Sequence, residues 1–219
     1  MRIWFLSVCL LPVFLSAQEY SVELFDQDNI HPVNANCSEV TLDGERAFKV
    51  VQADPNDGHS LVIISDMILE DGIIEVDLAG VPSPGAPVFS RGFVGLVFRT
   101  SEDFSTYECF YLRATNARAD DQLRRNHTAQ YMSVPGYEWR TLRESFPGKY
   151  ETYVDVEPAK WTTVKIEFMG EKAKIFVGES DQPTLIVNDL KKEERKGAVG
   201  LWIGPATDTY YKDLKIYKK

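Results

Sequence analysis

Cysteine and histidine are scarce in this chain, with 3 of each in 219 residues. No Cys-x-x-Cys pair or clustered Cys/His spacing occurs, which argues against a zinc site. His31, His59 and His127 lie far apart and read as surface or loop residues. Basic charge is also short: Lys+Arg is 24 against Asp+Glu 33, a net charge of -9. A nucleic-acid binder carries a basic stripe, and anionic lipid selects basic segments. Neither partner is expected. Long apolar runs are missing beyond Ile3 to Leu15, which falls short of the ~20 residues a spanning helix needs. A helical period of ten or more residues is absent, and the single helical candidate is the short polar run Asp189 to Arg195. There is no Gly-Lys-Ser phosphate loop, no Gly-x-Ser-x-Gly elbow and no His-Glu-x-x-His pair. No Pro/Gly/Ser linker or internal repeat divides the chain.

What is present begins with an address. Met1-Arg2, the apolar run, and Ser16-Ala17 before Gln18 have the order of a secretory signal peptide. The expectation is a cleaved signal at 1–17 and one domain at 18–219, secreted or periplasmic. Cys37 and Cys109 would remain. An oxidising compartment permits one bridge between them, and two free thiols are the simpler reading because Cys109 sits mid-strand. Asn36-Cys-Ser38 and Asn126-His-Thr128 match the glycosylation acceptor pattern, which arises readily by chance.

The rest reads as strands. About thirteen runs rich in Val, Ile, Phe, Tyr and Thr, from Tyr20–Phe25 to Tyr210–Tyr217, alternate with Asp-Gly, Pro-Gly and Gly-Glu-Lys turns. So many strands in one piece imply an all-β, two-sheet antiparallel sandwich, expected to be monomeric. The period of two assigns faces. Ile74, Val76 and Leu78 share one side of their strand, and Glu75 and Asp77 the other. Val94, Leu96, Phe98, Phe110 and Leu112 face inward. Tyr107, Cys109, Tyr111, Arg113 and Arg99 are left on the outer face.

Two further groups read as ligand-binding candidates beside Arg99, Tyr111 and Arg113. The polar stretch from Thr115 to Lys160 reads as long loops with short hairpins, and loops of that length are usually functional. It carries Asn116, Arg118, Arg124, Arg125 and His127, suited to a rim over a polar ligand or to a solvated salt-bridged loop. Asp120 and Asp121 are candidates for holding calcium through oxygen ligands, without the alternating spacing of a dedicated loop. Tyr131, Tyr137, Trp139 and Tyr153 can stack on pyranose faces or form a minor core. Trp139, between Glu138 and Arg140, is the best single platform. Trp161 and Trp202 sit in regular strands and read as structural.

The strands Trp161-Thr-Thr-Val-Lys-Ile, Ala173-Lys-Ile-Phe-Val, Gly197-Ala-Val-Gly-Leu-Trp-Ile and Tyr211-Lys-Asp-Leu-Lys-Ile-Tyr resemble the closing strands of concanavalin A-like lectin/glucanase jelly rolls. Glu75-Val-Asp77 and Gly92 to Arg99 followed by Tyr107 to Arg113 extend the likeness. The pattern is similar to laminin G-like modules and to secreted bacterial 3-keto-disaccharide hydrolases. The resemblance implies carbohydrate as partner, bound or processed on a concave sheet face, with a protein-interaction module as the alternative. Fold alone does not deliver function. Family-sixteen glycosidases carry Glu-x-Asp-x-(x)-Glu, which implies catalytic roles for Glu75 and Asp77. The last Glu would fall on Ala79 or Gly80, so the acid/base of a retaining mechanism is missing.

Overall fold

The computed structural model describes residues 18–193 and 196–219, so the signal-peptide reading of 1–17, Cys9 included, lies outside the described residues. The strands are β1 (Gln18–Ser21), β2 (Ile30–Val33), β3 (Ala35–Leu42), β4 (Glu45–Gln52), β5 (Ser60–Leu69), β6 (Gly72–Pro82), β7 (Phe93–Thr100) and β8 (Tyr107–Arg113). They continue as β9 (Ala129–Val134), β10 (Glu151–Thr152), β11 (Thr162–Met169), β12 (Lys172–Val177), β13 (Leu185–Val187), β14 (Gly197–Ile203) and β15 (Thr207–Lys218). Two antiparallel sheets result. One runs β13-β12-β11-β6-β15-β4-β3, with β1 also on β15; the other runs β10-β9-β8-β7-β14-β5-β2. This is the all-β sandwich that the strand count implies.

The core lies where alternation puts it. Val164 pairs with Val76 and Ile166 with Ile74, so both strands present their apolar set to the opposing sheet. Across the gap, Val94 pairs with Leu112 and Leu96 with Phe110. The two layers meet at Gly80, where an added Cβ would stand 2.8 Å from Val94 Cγ1. A side chain at position 80, one of the two places where the Glu75-x-Asp77 motif would end, would collide with the facing sheet.

The helical content differs from the expectation. The 115–160 stretch holds two short helices, α1 (Gln122–Asn126) and α2 (Trp139–Ser145), beside the antiparallel β9–β10 pair and a tight Ser133–Tyr137 turn. Helix α1 starts on a side-chain cap, Asp121 accepting from Arg124 N–H at 2.6 Å. The candidate helix at 189–195 is not one over 189–193. Among the described residues no helix is long and apolar enough to cross a membrane. Cys37 on β3 and Cys109 on β8 belong to opposite sheets and are free thiols.

The outer face of the seven-stranded sheet differs most from the sequence reading. Every residue of β8 is buried, on both faces. One transverse row is set by the registers: Trp202 opposite Gly95, Gly95 opposite Tyr111, Tyr111 opposite Gln130, and Gln130 opposite Glu151. Gly95 is a necessary gap in that row, since a Cβ there would meet Phe110 O and stand 2.6 Å from Tyr111 Cβ. Gly95→Ala is therefore expected to destabilise the fold by about 1–3 kcal/mol, the usual cost of overpacking. Urea denaturation of the two proteins checks this, and an unchanged midpoint would refute it.

Candidate functional site

A cleft of about 750 Å³ lies over this outer face. Its floor is the row just described. The Tyr111 and Trp202 rings pack at 4.7 Å between centroids, and Phe93, Met132 and Val134 extend the apolar base. Around it stand Phe89 and Arg91 from the segment before β7, Leu123 and Arg124 from α1, and Glu138, Trp139 and Arg143 from α2. The rim is apolar and open: Phe89 is 63% exposed, Leu123 67% and Trp139 38%. The guanidinium groups of Arg140 and Arg143 stand 5.3 and 5.0 Å from the Trp139 ring centroid, fixing the indole at the mouth.

Arg113 ties floor to wall. It emerges from β8 on the Tyr111 side, two residues on, and donates to Tyr111 Oη at 2.6 Å. It also donates to the His127 carbonyl at 2.8 Å. The same carbonyl accepts from Asn116 Nδ2 at 3.2 Å, and Asn116 Oδ1 accepts from Arg124 Nε at 2.9 Å. These bonds pin the polar 114–127 segment to the sheet edge. Burial lowers the Arg113 pKa, with the nearby Arg143 charge acting the same way.

A second polar group closes the far wall. Arg143 donates to both oxygens of Glu151, at 2.6 Å from Nη2 to Oε2 and 3.1 Å from Nε to Oε1. His127 Nε2 lies 3.2 Å from Glu151 Oε1. Burial pulls the His127 pKa below its usual value, the Arg143 and Arg113 charges pull the same way, and Glu151 opposes them. Asp121 also opposes the lowering, and burial is the largest influence, so the net shift is downward.

Of the residues singled out in the sequence, Tyr111, Arg113, Asn116, Arg124, His127 and Trp139 reach this cleft, as does Asp121. Tyr111 and Arg113 are 1% and 6% exposed, so they support the floor from within. The others are placed elsewhere. Arg99 adopts φ 51° where the β7–β14 register shifts between Ala198 and Gly200. That break in alternation turns its side chain away from the outer face, to stand 5.6 Å from the Phe168 ring and to donate to the Glu70 carbonyl at 3.0 Å. Tyr131 is opposite Phe110, on the core side, and donates to Glu108 Oε2 at 2.6 Å. Arg118 is a solvated surface residue, held by Asp155 at 3.1 Å and Glu157 at 2.8 Å.

Glu75 and Asp77 are on β6, in the other sheet. They form part of a polar ladder there. Glu75 is opposite Lys165 and Lys215, and Asp77 accepts from Thr163 Oγ1 at 2.6 Å with Lys212 Nζ at 3.5 Å. They do not share a floor with Tyr111 and Arg113.

Of the calcium candidates Asp120 and Asp121, Asp121 uses Oδ1 as the α1 cap. No group of three or more His, Cys, Asp or Glu side chains suited to a metal occurs among the described residues.

Sequence reading missed Trp202, Phe89, Arg91, Arg143 and Glu151. For Trp202 the signal was available: in Gly-Leu-Trp-Ile it alternates with Leu201 and Ile203, which puts it on the outer face. For Phe89, Arg91 and Arg143, which reach the cleft from separate connections, and for Glu151, which holds Arg143 from β10, no local signal existed.

The His127 environment gives a pH prediction. Its folded pKa lies below the ordinary ~6.5 of the unfolded chain. The unfolded state therefore binds more protons between the two values, and stability falls as pH falls through that window. An NMR titration of the imidazole should show a midpoint below ~6.5. A midpoint above it would mean that the Glu151 pairing outweighs burial.

No protein-family model matches the chain, and no curated protein sequence does. Solved structures do. Carbohydrate-binding module CBM66 from Bacillus subtilis is 18% identical with a TM-score of 0.59, over 85% of this chain and 94% of that one. A Bacillus subtilis protein of unknown function with a galectin-like fold is 12% identical with a TM-score of 0.57, over 92% and 98%. A glycosyl hydrolase, so described provisionally, from Parabacteroides distasonis is 12% identical with a TM-score of 0.52, over 87% and 99%. At these identities the likeness is one of fold: this chain has the two-sheet sandwich of lectin-like jelly rolls.

Proposed function

We propose that this protein binds carbohydrate in the cleft over the seven-stranded sheet, outside the cytoplasm and as a monomer. The observation that carries the reading is the pairing of an exposed Trp139 at the mouth with buried, fixed hydrogen-bonding groups beneath it. A pyranose presents an apolar face and a ring of hydroxyls. An indole platform takes the first, and Arg113, Asn116 and His127 offer donors and acceptors for the second. Pockets of this size and mixed lining are typical of small-ligand sites. The reading is supported by neighbours that include a carbohydrate-binding module and by the signal-like order of residues 1–17.

A hydrolytic role would draw on the same cleft. Asp121, His127 and Glu138, all from the 115–160 stretch, line it. Such a role follows the 3-keto-disaccharide hydrolase resemblance, and an assay of reducing sugar released from polysaccharides, run beside the binding screen, tests it.

Trp139→Ala should weaken glycan binding by tenfold or more, about 1.4 kcal/mol, with the thermal midpoint within about 2 °C because the residue is exposed. Tyr111→Ala should cost both stability and binding, since it removes a buried ring from the floor. A glycan-array screen followed by calorimetry with the best binder measures both. Full affinity in the Trp139 variant would move the site elsewhere.

A further inference from the structure

The cleft holds a concentration of positive charge that the whole chain does not. Four arginines line it, Arg91, Arg113, Arg124 and Arg143, in a protein of net charge -9. Arg143 is neutralised by Glu151 at 2.6 Å. The other three are not. Among the described residues, no carboxylate oxygen lies within salt-bridge distance of Arg91, Arg113 or Arg124, although Asp121 and Glu138 line the same cleft. Asp121 Oδ1 accepts from a backbone N–H to cap α1, and Glu138 Oε1 accepts from Gly136 N–H at 3.2 Å.

The three guanidinium groups are held instead by neutral acceptors. Arg91 donates to the Val88 and Ser90 carbonyls. Arg113 donates to Tyr111, His127 and Gln130. Arg124 donates to Asn116 and to the Thr115 carbonyl. Neutral acceptors orient an arginine without cancelling its charge. The charges act on one another: burial lowers the Arg91 pKa, and the Arg124 and Arg113 charges lower it further. Outside the cleft, Arg46 pairs with Glu39 and Arg118 with Asp155 and Glu157, while Arg125 and Arg140 rest on the Tyr153 and Trp139 rings; what sets the cleft apart is that three such groups converge on one cavity. Like charges gathered in a partly buried cleft are costly in the empty protein and become favourable when an anion enters. A planar guanidinium also matches a carboxylate or sulfate in a two-point fork.

We propose that the cleft selects an anionic saccharide, a glycan bearing a uronate carboxylate or a sulfate, whose charge is taken by Arg91, Arg113 and Arg124 while a sugar ring stacks at Trp139. This deepens the carbohydrate-binding reading and rests on it.

The test uses the full folded protein on an array of matched glycans: uronate oligosaccharides with their methyl esters, and sulfated oligosaccharides with their desulfated forms. Calorimetry then follows the strongest pair. The acidic member should bind at least tenfold more tightly than its neutral counterpart in low salt, with the ratio shrinking as salt rises. The uronate and sulfate arms identify which anion is read. Arg91→Gln and Arg124→Gln should each reduce the acidic-to-neutral ratio at least threefold, whatever each does to neutral binding, and an unchanged ratio in both variants overturns the assignment to these arginines. Arg124→Lys, which keeps the charge, should retain part of the preference if the glutamine variant misfolds. Equal affinity for both members of every pair overturns the anionic selectivity and leaves the glycan site standing. Failure to bind any saccharide, acidic or neutral, overturns both.

Discussion

The contact between Tyr111 and Trp202 across Gly95 is the constraint on which the outer face of this protein depends. Two rings on strands separated by β7 pack at 4.7 Å because the strand between them contributes no side chain. With the gap filled, the Tyr111 ring would be pushed off the sheet and its hydroxyl displaced from Arg113. Arg113 in turn holds the His127 carbonyl, and that carbonyl holds Asn116. A backbone feature of one glycine is thereby transmitted through three side chains to the wall of a cleft. The walls are helices of 5 and 7 residues, too short to be stable alone. They persist because hydrogen bonds anchor them to a sheet already fixed by its core.

Polar groups inside the sandwich follow the same logic of completion. Glu108 lies on the core side of β8, between residues that alternate as an apolar stripe. Burial raises its pKa, and the Tyr131 hydroxyl and the Lys192 amide, donating at 2.6 and 2.8 Å, oppose that rise. A buried carboxyl is tolerable only with such partners. This network is what takes Tyr131 out of the ligand-binding set: its hydroxyl is engaged on the opposite side of the sheet from the cleft. Arg99 tells a related story. Its charge is accommodated at a bulge, against a backbone carbonyl and a phenyl ring, not displayed on a face.

Charge is distributed unevenly in a way that total composition conceals. The exposed shell pairs its acids and bases in many short bridges, each of small energetic consequence. On the eight-stranded sheet, Glu75 and Asp77 disappear into a lysine and threonine ladder of this kind. In the cleft, three guanidinium groups stand without acidic partners. An acidic protein can hold a locally cationic cavity because distant surface carboxylates are attenuated by distance, solvent and salt, so what matters is which groups are adjacent.

Alternation in sequence determined the sandwich, since residues two apart on strands as regular as Ile74-Glu75-Val76-Asp77-Leu78 can satisfy only one inward set. It likewise determined that Tyr111 and Arg113 share a face, and it held the information that Trp202 joins them. Periodicity is a local property, and it fails where the backbone departs from regularity. The bulge at Arg99 reverses a face that the pattern assigns, and no residue type announces it. Sheet membership is likewise non-local: β6 and β8 each read as a strand, and only hydrogen-bond pairing put Glu75 and Arg113 in different sheets. The cleft draws Phe89, Arg91, Arg124, Trp139 and Arg143 from three separate connections between strands. Their convergence was decided by tertiary structure alone, because the distance between loop residues is set by the sheet that carries them and not by their separation along the chain.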